Sequence, residues 1–205
     1  METVKRSSWQ VMPLSTPLLK KKCKCKSNLY YSSDKFRLNS QKKSIDVWLI
    51  YKCIKCDNTC NITILSRTKS DLIDKELYHR FSMNDEGTAW KYAFDAETFR
   101  RNNLEPDYSN IEYEIISENI SLHDILVMET DIIEFEIISL YNLDLKLTTI
   151  IRKCLDISSG QLEKMLSAGI ISVQPSVPLK KSKVRSGIIV SIHKKKLKLY
   201  MEKNI

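Results

Sequence analysis

The sequence predicts a small α+β protein in three segments: a cysteine-bearing β-hairpin in residues 1–68, an acidic helical and β-rich middle in 69–142, and a basic helix-turn-helix-strand segment in 143–205. Three observations predict it. Two cysteine pairs lie about 28 residues apart, the second of them between two β-rich runs. The charge reverses sign twice along the chain. The last third carries two amphipathic helical patterns followed by two short apolar runs.

Composition sets the limits. A chain of 205 residues holds one large domain or two to three small ones. With 42% apolar and 28% charged residues it matches ordinary globular proteins. No apolar run approaches the roughly 20 residues that span a bilayer. The start, METVKRSSWQVMPLSTPLL, lacks the apolar core of a signal peptide. The expectation is therefore a cytoplasmic protein with no membrane partner, whose thiols stay reduced. Six cysteines in that setting point to metal or core packing before disulfides.

The net charge of +8 conceals a pattern. Residues 1–55 carry 13 Lys/Arg against 3 Asp/Glu, residues 56–142 carry 7 against 18, and residues 143–205 carry 13 against 4. Two basic ends flank an acidic middle. Such asymmetry places polyanion contacts on the ends, or has the ends dock on acidic protein.

The first element is the hairpin. Asp46 to Lys52 and Asn58 to Leu65 read as strands, and between them stands Cys53-Ile-Lys-Cys56. A C-x-x-C turn aims two sulfurs at one point, and a second pair alongside closes a tetrahedron. That second pair is Cys23 and Cys25 in KKKCKCKS, whose one-residue spacing departs from the usual two. The predicted ligands of a structural Zn²⁺ are Cys23, Cys25, Cys53 and Cys56. The alternative set uses Cys60. Period-two reading places Cys60 with Ile62 and Ile64 on one strand face, as a core residue. The surrounding lysines offset the charge of four thiolates on one dication. Four sulfur ligands leave no open position, so such a metal is structural and not catalytic.

In the middle segment Ser70 is the expected N-cap of a helix whose buried stripe is Ile73, Leu77 and Phe81. Asn84 or Asp85 caps a second helix running to Arg100-Arg101, with Trp90 and Phe94 in the core. Strands follow at 111–117 and 131–141, with Glu112 and Glu114 on a solvated face. His79, His123 and His193 stand alone. There is no nucleophile motif, Gly-rich phosphate loop or dinucleotide fingerprint.

In the last segment Leu147, Ile150, Ile151, Cys154 and Leu155 keep helical spacing. Ser158 and Gln161 form a capping box for a second helix, whose apolar face is Leu162, Met165 and Leu166 and whose stop is Gly169. A strand follows from Ile170 to Val173, then a basic loop, and Gly187 turns into a last strand at 188–192.

That order, with Ser158, Leu166, Gly169, Ile171, Val173, Lys183, Val184 and Gly187 in place, resembles the S4 RNA-binding domain. The resemblance implies that short helices and a neighbouring loop present basic side chains to structured RNA. The residues it nominates are Arg152, Lys153, Lys164, Lys180, Lys181, Lys183 and Arg185, with the tail Lys194 to Lys196 and Lys198. Over most of residues 12–115 the chain is similar to a bacterial family filed as domain of unknown function 1062. The phrases KFRLNS (35–40), IDVWLIYKCIKCDNT (45–59) and AWKYAFD (89–95) carry that similarity. The family resembles zinc ribbons at its N-terminal end and implies no activity.

The expected function is a non-enzymatic, zinc-binding protein for structured RNA, such as ribosomal or transfer RNA. The alternative is an interaction or regulatory module whose basic ends contact an acidic protein. An enzyme would require an open polar pocket in the acidic middle.

Overall fold

The structure is a computed structural model that describes residues 2–41, 43–176, 178–179 and 181–202. It is a mixed α+β protein with two five-stranded sheets. The chain forms two compact units. One, residues 14–112, is continuous; the other joins residues 1–13 to residues 113–205. Composition divides the chain at 68 and 142 instead. The difference has a simple cause: the first strand pairs with strands more than a hundred residues away, and no local pattern records its partner.

The continuous unit is a meander. Strands β2 (Leu18–Lys20), β3 (Leu29–Gln41), β4 (Ser44–Cys53) and β5 (Thr59–Lys69) pair antiparallel in sequence order, and β6 (Glu105–Asp107) pairs with the outer edge of β2. In a meander, alternate turns fall at the same end of the sheet. The β2–β3 and β4–β5 turns therefore meet, with Tyr30 opposite Cys53 across β3 and β4. This is what brings two distant cysteine pairs together. The inward face of β4 and β5 carries Val47, Leu49, Tyr51, Cys60, Ile62 and Ile64, all buried. The expected alternation of Cys60 with Thr59 and Asn61 is what the strand shows.

Helices α1 (Lys75–Ser82), α2 (Glu86–Ala93) and α3 (Ala96–Arg101) supply Phe81, Ala89, Ala93 and Phe99 to this core. Phe36 meets Phe81 edge-on at 4.8 Å. Two sequence expectations are corrected here. Ser70 opens only a short 3-10 turn (Ser70–Leu72), and α1 is capped by Asp74, whose carboxylate accepts from the Leu77 N–H. The single helix expected to run to Arg101 is two. Asp95 accepts from the N–H groups of Glu97 and Thr98, so it starts a new helix where α2 ends. Asp85 caps α2 as expected.

The composite unit has strand order β7-β1-β8-β10-β9. Its strands are β1 (Val4–Pro13), β7 (Tyr113–Ile116), β8 (Ile132–Ile138), β9 (Ile171–Gln174) and β10 (Ile189–His193). The β1–β8 pair is parallel; the other ladders are antiparallel. Trp9 of β1 stacks on Phe135 of β8 at 4.4 Å. Helix α4 (Leu122–Val127) carries a Ser121–Asp124 capping box. Helices α5 (Leu147–Leu155) and α6 (Ser159–Ser167) bury Ile150, Ile151, Leu162 and Met165, and the Ser158–Gln161 capping box forms as the sequence predicts. Gly169, at φ +63°, ends α6 in the left-handed region, and Gly187, at φ +83°, makes the turn into β10.

The stretch after β10 is not a tail. It folds as α7 (Lys194–Glu202) around the buried Leu197. Two lysines nominated for RNA serve the fold there: Lys194 donates to the Met128 carbonyl at the end of α4, and Lys196 donates to the Gly169 carbonyl at 3.1 Å. Cations at helix C-termini satisfy orphan carbonyls and oppose the dipole. No helix among the described residues is long and apolar enough to cross a membrane.

Candidate metal centre

The two cysteine turns are near-equivalents that differ by one residue. In the first, the Cys23 N–H donates to the Ser27 carbonyl at 2.8 Å, and the Lys26 N–H donates to the Cys23 carbonyl at 3.0 Å. In the second, the Cys53 N–H donates to the Asn58 carbonyl at 2.9 Å, and the Asp57 N–H donates to the Cys53 carbonyl at 3.0 Å. In each, the residue just after the second cysteine takes positive φ: Lys26 at 69° and Asp57 at 54°. The C-x-C spacing is thus accommodated by a tighter internal bond, from the third residue on instead of the fourth. Both turns close and both present their sulfurs inward.

The four sulfurs converge. Cys23 Sγ lies 3.6 Å from Cys56 Sγ, and Cys25 Sγ lies 3.5 Å from Cys53 Sγ. All four lie within 4.8 Å of one another. A tetrahedral site with Zn–S bonds of about 2.3 Å has edges of about 3.8 Å. The set therefore has the size and chemistry to hold a metal ion. Cys23 and Cys53 are buried, Cys25 is half-buried and Cys56 is exposed. Cys60, the alternative ligand, is buried on the strand with the Lys21 Nζ 3.2 Å from its sulfur, outside the cluster.

The thiols around this point are not equivalent. A hydrogen bond from the Tyr30 hydroxyl, helped by the Cys25 backbone and outweighing desolvation, holds Cys23 down at about 6. The same bond pushes the Tyr30 phenol up to about 12. At Cys53, desolvation is outweighed by the N–H groups of Lys55 and Cys56 aimed at its sulfur, and its thiol lies below the ordinary value. Cys56 receives help from the Asn58 N–H, yet the sulfurs of Cys25, Cys23 and Cys53 together with desolvation push it up to about 12. Crowded thiolates repel one another, so the last proton stays on unless a cation sits among them. A bound dication removes that repulsion.

Supporting residues that the sequence reading passes over are Tyr30, Ser27 and Asn58. Ser27 helps hold the Cys53 thiol down while its hydroxyl donates to the Leu29 carbonyl at 3.4 Å, and Asn58 brings its Nδ2 to 4.0 Å from Cys23 Sγ. The signal for two of them is local: Lys26-Ser27 and Asp57-Asn58 directly follow the second cysteine of each pair. Outer partners of this type orient ligands.

The residues nominated for RNA scatter more. Arg152 turns back to the Ile157 carbonyl at 3.4 Å, and Lys153 holds its Nζ 4.6 Å over the Tyr113 ring. Lys164 is exposed on α6. Lys180 lies outside the described residues. Lys181, Lys183 and Arg185 line one open cavity of about 600 Å³ with Pro175, Ser182, Ser186, Gly187 and Ile188. The walls are anchored. The Val184 N–H donates to the Leu145 carbonyl at 2.8 Å, and Ser186 donates to the Ser139 carbonyl at 2.7 Å. Lys183 pairs with Asp144 at 2.6 Å. Cys154 is half-buried, and burial pushes its thiol up to about 12.

No curated protein and no solved structure matches the chain. The family described as "Protein of unknown function (DUF1062)" matches residues 38–177. That range takes in Cys53 and Cys56 but not Cys23 and Cys25, and it covers parts of both units. With more than half of its length matched, the chain belongs to the DUF1062 family.

Proposed function

We propose that this protein is a zinc-stabilised, non-enzymatic binder of structured RNA. Zinc suits four thiolates at tetrahedral spacing, and a closed tetrathiolate shell serves folding because it leaves no position for water or substrate. The RNA reading is carried by one observation: Lys181, Lys183 and Arg185 line one open cavity whose described lining residues include no acid, with Asp144 just outside it paired to Lys183. Guanidinium and ammonium groups on a fixed loop suit the regular phosphate spacing of a helical nucleic acid, read by shape and charge. The S4 resemblance of the same segment points the same way. Arg152, Lys153 and Lys183 already have partners within the unit, so Lys181 and Arg185 carry most of this reading.

The test is titration of a fluorescent RNA hairpin at about 50 mM salt, where phosphate contacts are strong. The Lys181→Ala, Lys183→Ala, Arg185→Ala triple variant should lose affinity alike for unrelated duplexes. Its log–log salt slope should shrink by about 0.9 for each phosphate no longer neutralised. Absence of RNA binding at micromolar wild-type protein overturns the reading. Binding of polyglutamate in its place makes the basic segment a dock for an acidic protein.

A further inference from the structure

The turns that carry the cysteines are more basic than a metal centre needs. Lys21, Lys22, Lys24, Lys26, Lys52 and Lys55 lie on or next to them. A tetrathiolate around a dication carries two negative charges, and Asp57 adds a third. Six lysines against three negative charges leave a surplus of three positive charges at one end of the sheet. Lys22, Lys24, Lys26 and Lys55 are exposed. Lys21 is directed to Cys60, so it is not counted in the surface described next.

Two apolar groups stand in the same place. Ile54, between Cys53 and Cys56, is 53% exposed although its N–H is tied to the Leu29 carbonyl at 3.2 Å. Tyr31 is 38% exposed, and its hydroxyl donates to Asp57 at 2.9 Å. That bond fixes the ring beside the second cysteine turn. An exposed aromatic ring, opposite Lys52 across the strands and tied by its hydroxyl to the second of two lysine-bearing turns, supplies the two parts that single-stranded nucleic acid recognition requires: a face on which a base stacks and ammonium groups for the phosphates.

We propose that this cysteine-turn end of the meander is a contact surface for unpaired nucleotides, with a base on Tyr31 and phosphates on Lys24, Lys26 and Lys55. It is a different surface from the Lys181–Arg185 cavity and does not depend on that cavity binding duplex RNA.

The experiment titrates fluorescein-labelled oligouridylate into full-length protein at about 50 mM salt, with metal content measured on every variant. The Lys24→Ala, Lys26→Ala, Lys55→Ala variant should keep its metal and reduce the salt slope by roughly 2, at about 0.7 per single-strand phosphate. Tyr31→Leu should weaken binding roughly tenfold. Tyr31→Phe keeps the ring and should stay within a few-fold of wild type, which separates stacking from any effect of the Asp57 bond on folding. The Lys181, Lys183, Arg185 variant should bind oligouridylate as wild type does. No oligouridylate binding at micromolar protein overturns the proposal. So does Tyr31→Leu binding like wild type while polyglutamate competes as well as the oligonucleotide. If the cavity variant alone abolishes binding, single strands enter the cavity; this surface is then wrong while the RNA reading stands. Wild-type protein that binds oligouridylate but no duplex has the opposite meaning: this surface stands and the cavity reading falls.

Discussion

The sheet end of the meander unit and the interior of the composite unit are ordered by different means. At the first, two short turns of polar and charged residues bring four sulfurs together at the end of the meander core, where Cys56 is exposed. In the second, Trp9, Phe135, Ile137, Ile150, Ile151 and Leu162 are at most 2% exposed and the order is that of a packed core. The difference teaches where cooperativity comes from. A metal concentrates stabilisation at one point and makes it conditional on thiolate protonation. A core spreads it over many side chains, none of which titrates.

Removing the metal breaks the comparison most sharply. Cys53→Ser, or chelation of the wild type, deletes an interaction worth roughly 10–16 kcal/mol in zinc-finger peptides. Amide exchange should show protection lost through the β2–β3 and β4–β5 turns, while α5 and β8 keep theirs. Acid should do the same. Cys23 and Cys53 have thiols held below their ordinary value, so they favour the folded turns above that value and lose this contribution as pH falls, for Cys23 through about 6. Metal release measured with a chromogenic chelator should therefore precede loss of the composite core on acidification. If purified reduced protein carries well under one metal ion per chain, the contrast fails at its root.

The converse change is Phe135→Ala. It removes the ring stacked on Trp9 and leaves a cavity in a fully buried site. The expected cost is about 3–5 kcal/mol in denaturant unfolding, with metal content unchanged. Metal loss in this variant would mean that the two regions do not hold their order separately.

How much of this was legible follows from the same contrast. Cysteines are rare and their spacing is a point signal, so the four cysteines that converge, the flanking strands and the buried face of Cys60 could be read one residue at a time. The Ser158–Gln161 box and the α5 stripe are equally local. The composite sheet was not legible. Val4–Pro13 carries a plain alternating pattern, and nothing near it names β7 and β8 as partners. Charge also misled at the end of the chain. Lys194 and Lys196 look like solvated cations in sequence, yet their role comes from the carbonyls of Met128 and Gly169, which only the fold brings near. The break at Asp95 follows directly on Phe94, and no glycine or proline marks it in the sequence. The capping carboxylate decided the boundary.

The smallest predicted effects sharpen the contrast by asking which caps titrate. The composite unit starts α6 with a serine, and Ser158→Ala should cost about 1 kcal/mol at any pH where the protein is folded, since a hydroxyl cap carries no proton equilibrium in this range. The meander unit starts α2 with Asp85. The Thr88 hydroxyl donates to its carboxylate at 2.6 Å and the Thr88 N–H at 2.8 Å, and these bonds hold the acid below its usual value of 3.8. A depressed acid stabilises the fold above its unfolded value and loses that contribution as pH falls through the folded one. Asp85→Asn should therefore flatten the stability profile below about pH 4, whereas Ser158→Ala should lower it by a constant amount. Both are read from urea unfolding followed with pH, with a chelator present so that no metal contributes to the signal. A Ser158→Ala cost that varies with pH, or an Asp85→Asn profile parallel to wild type below pH 4, would show that these two caps do not differ in their response to acid.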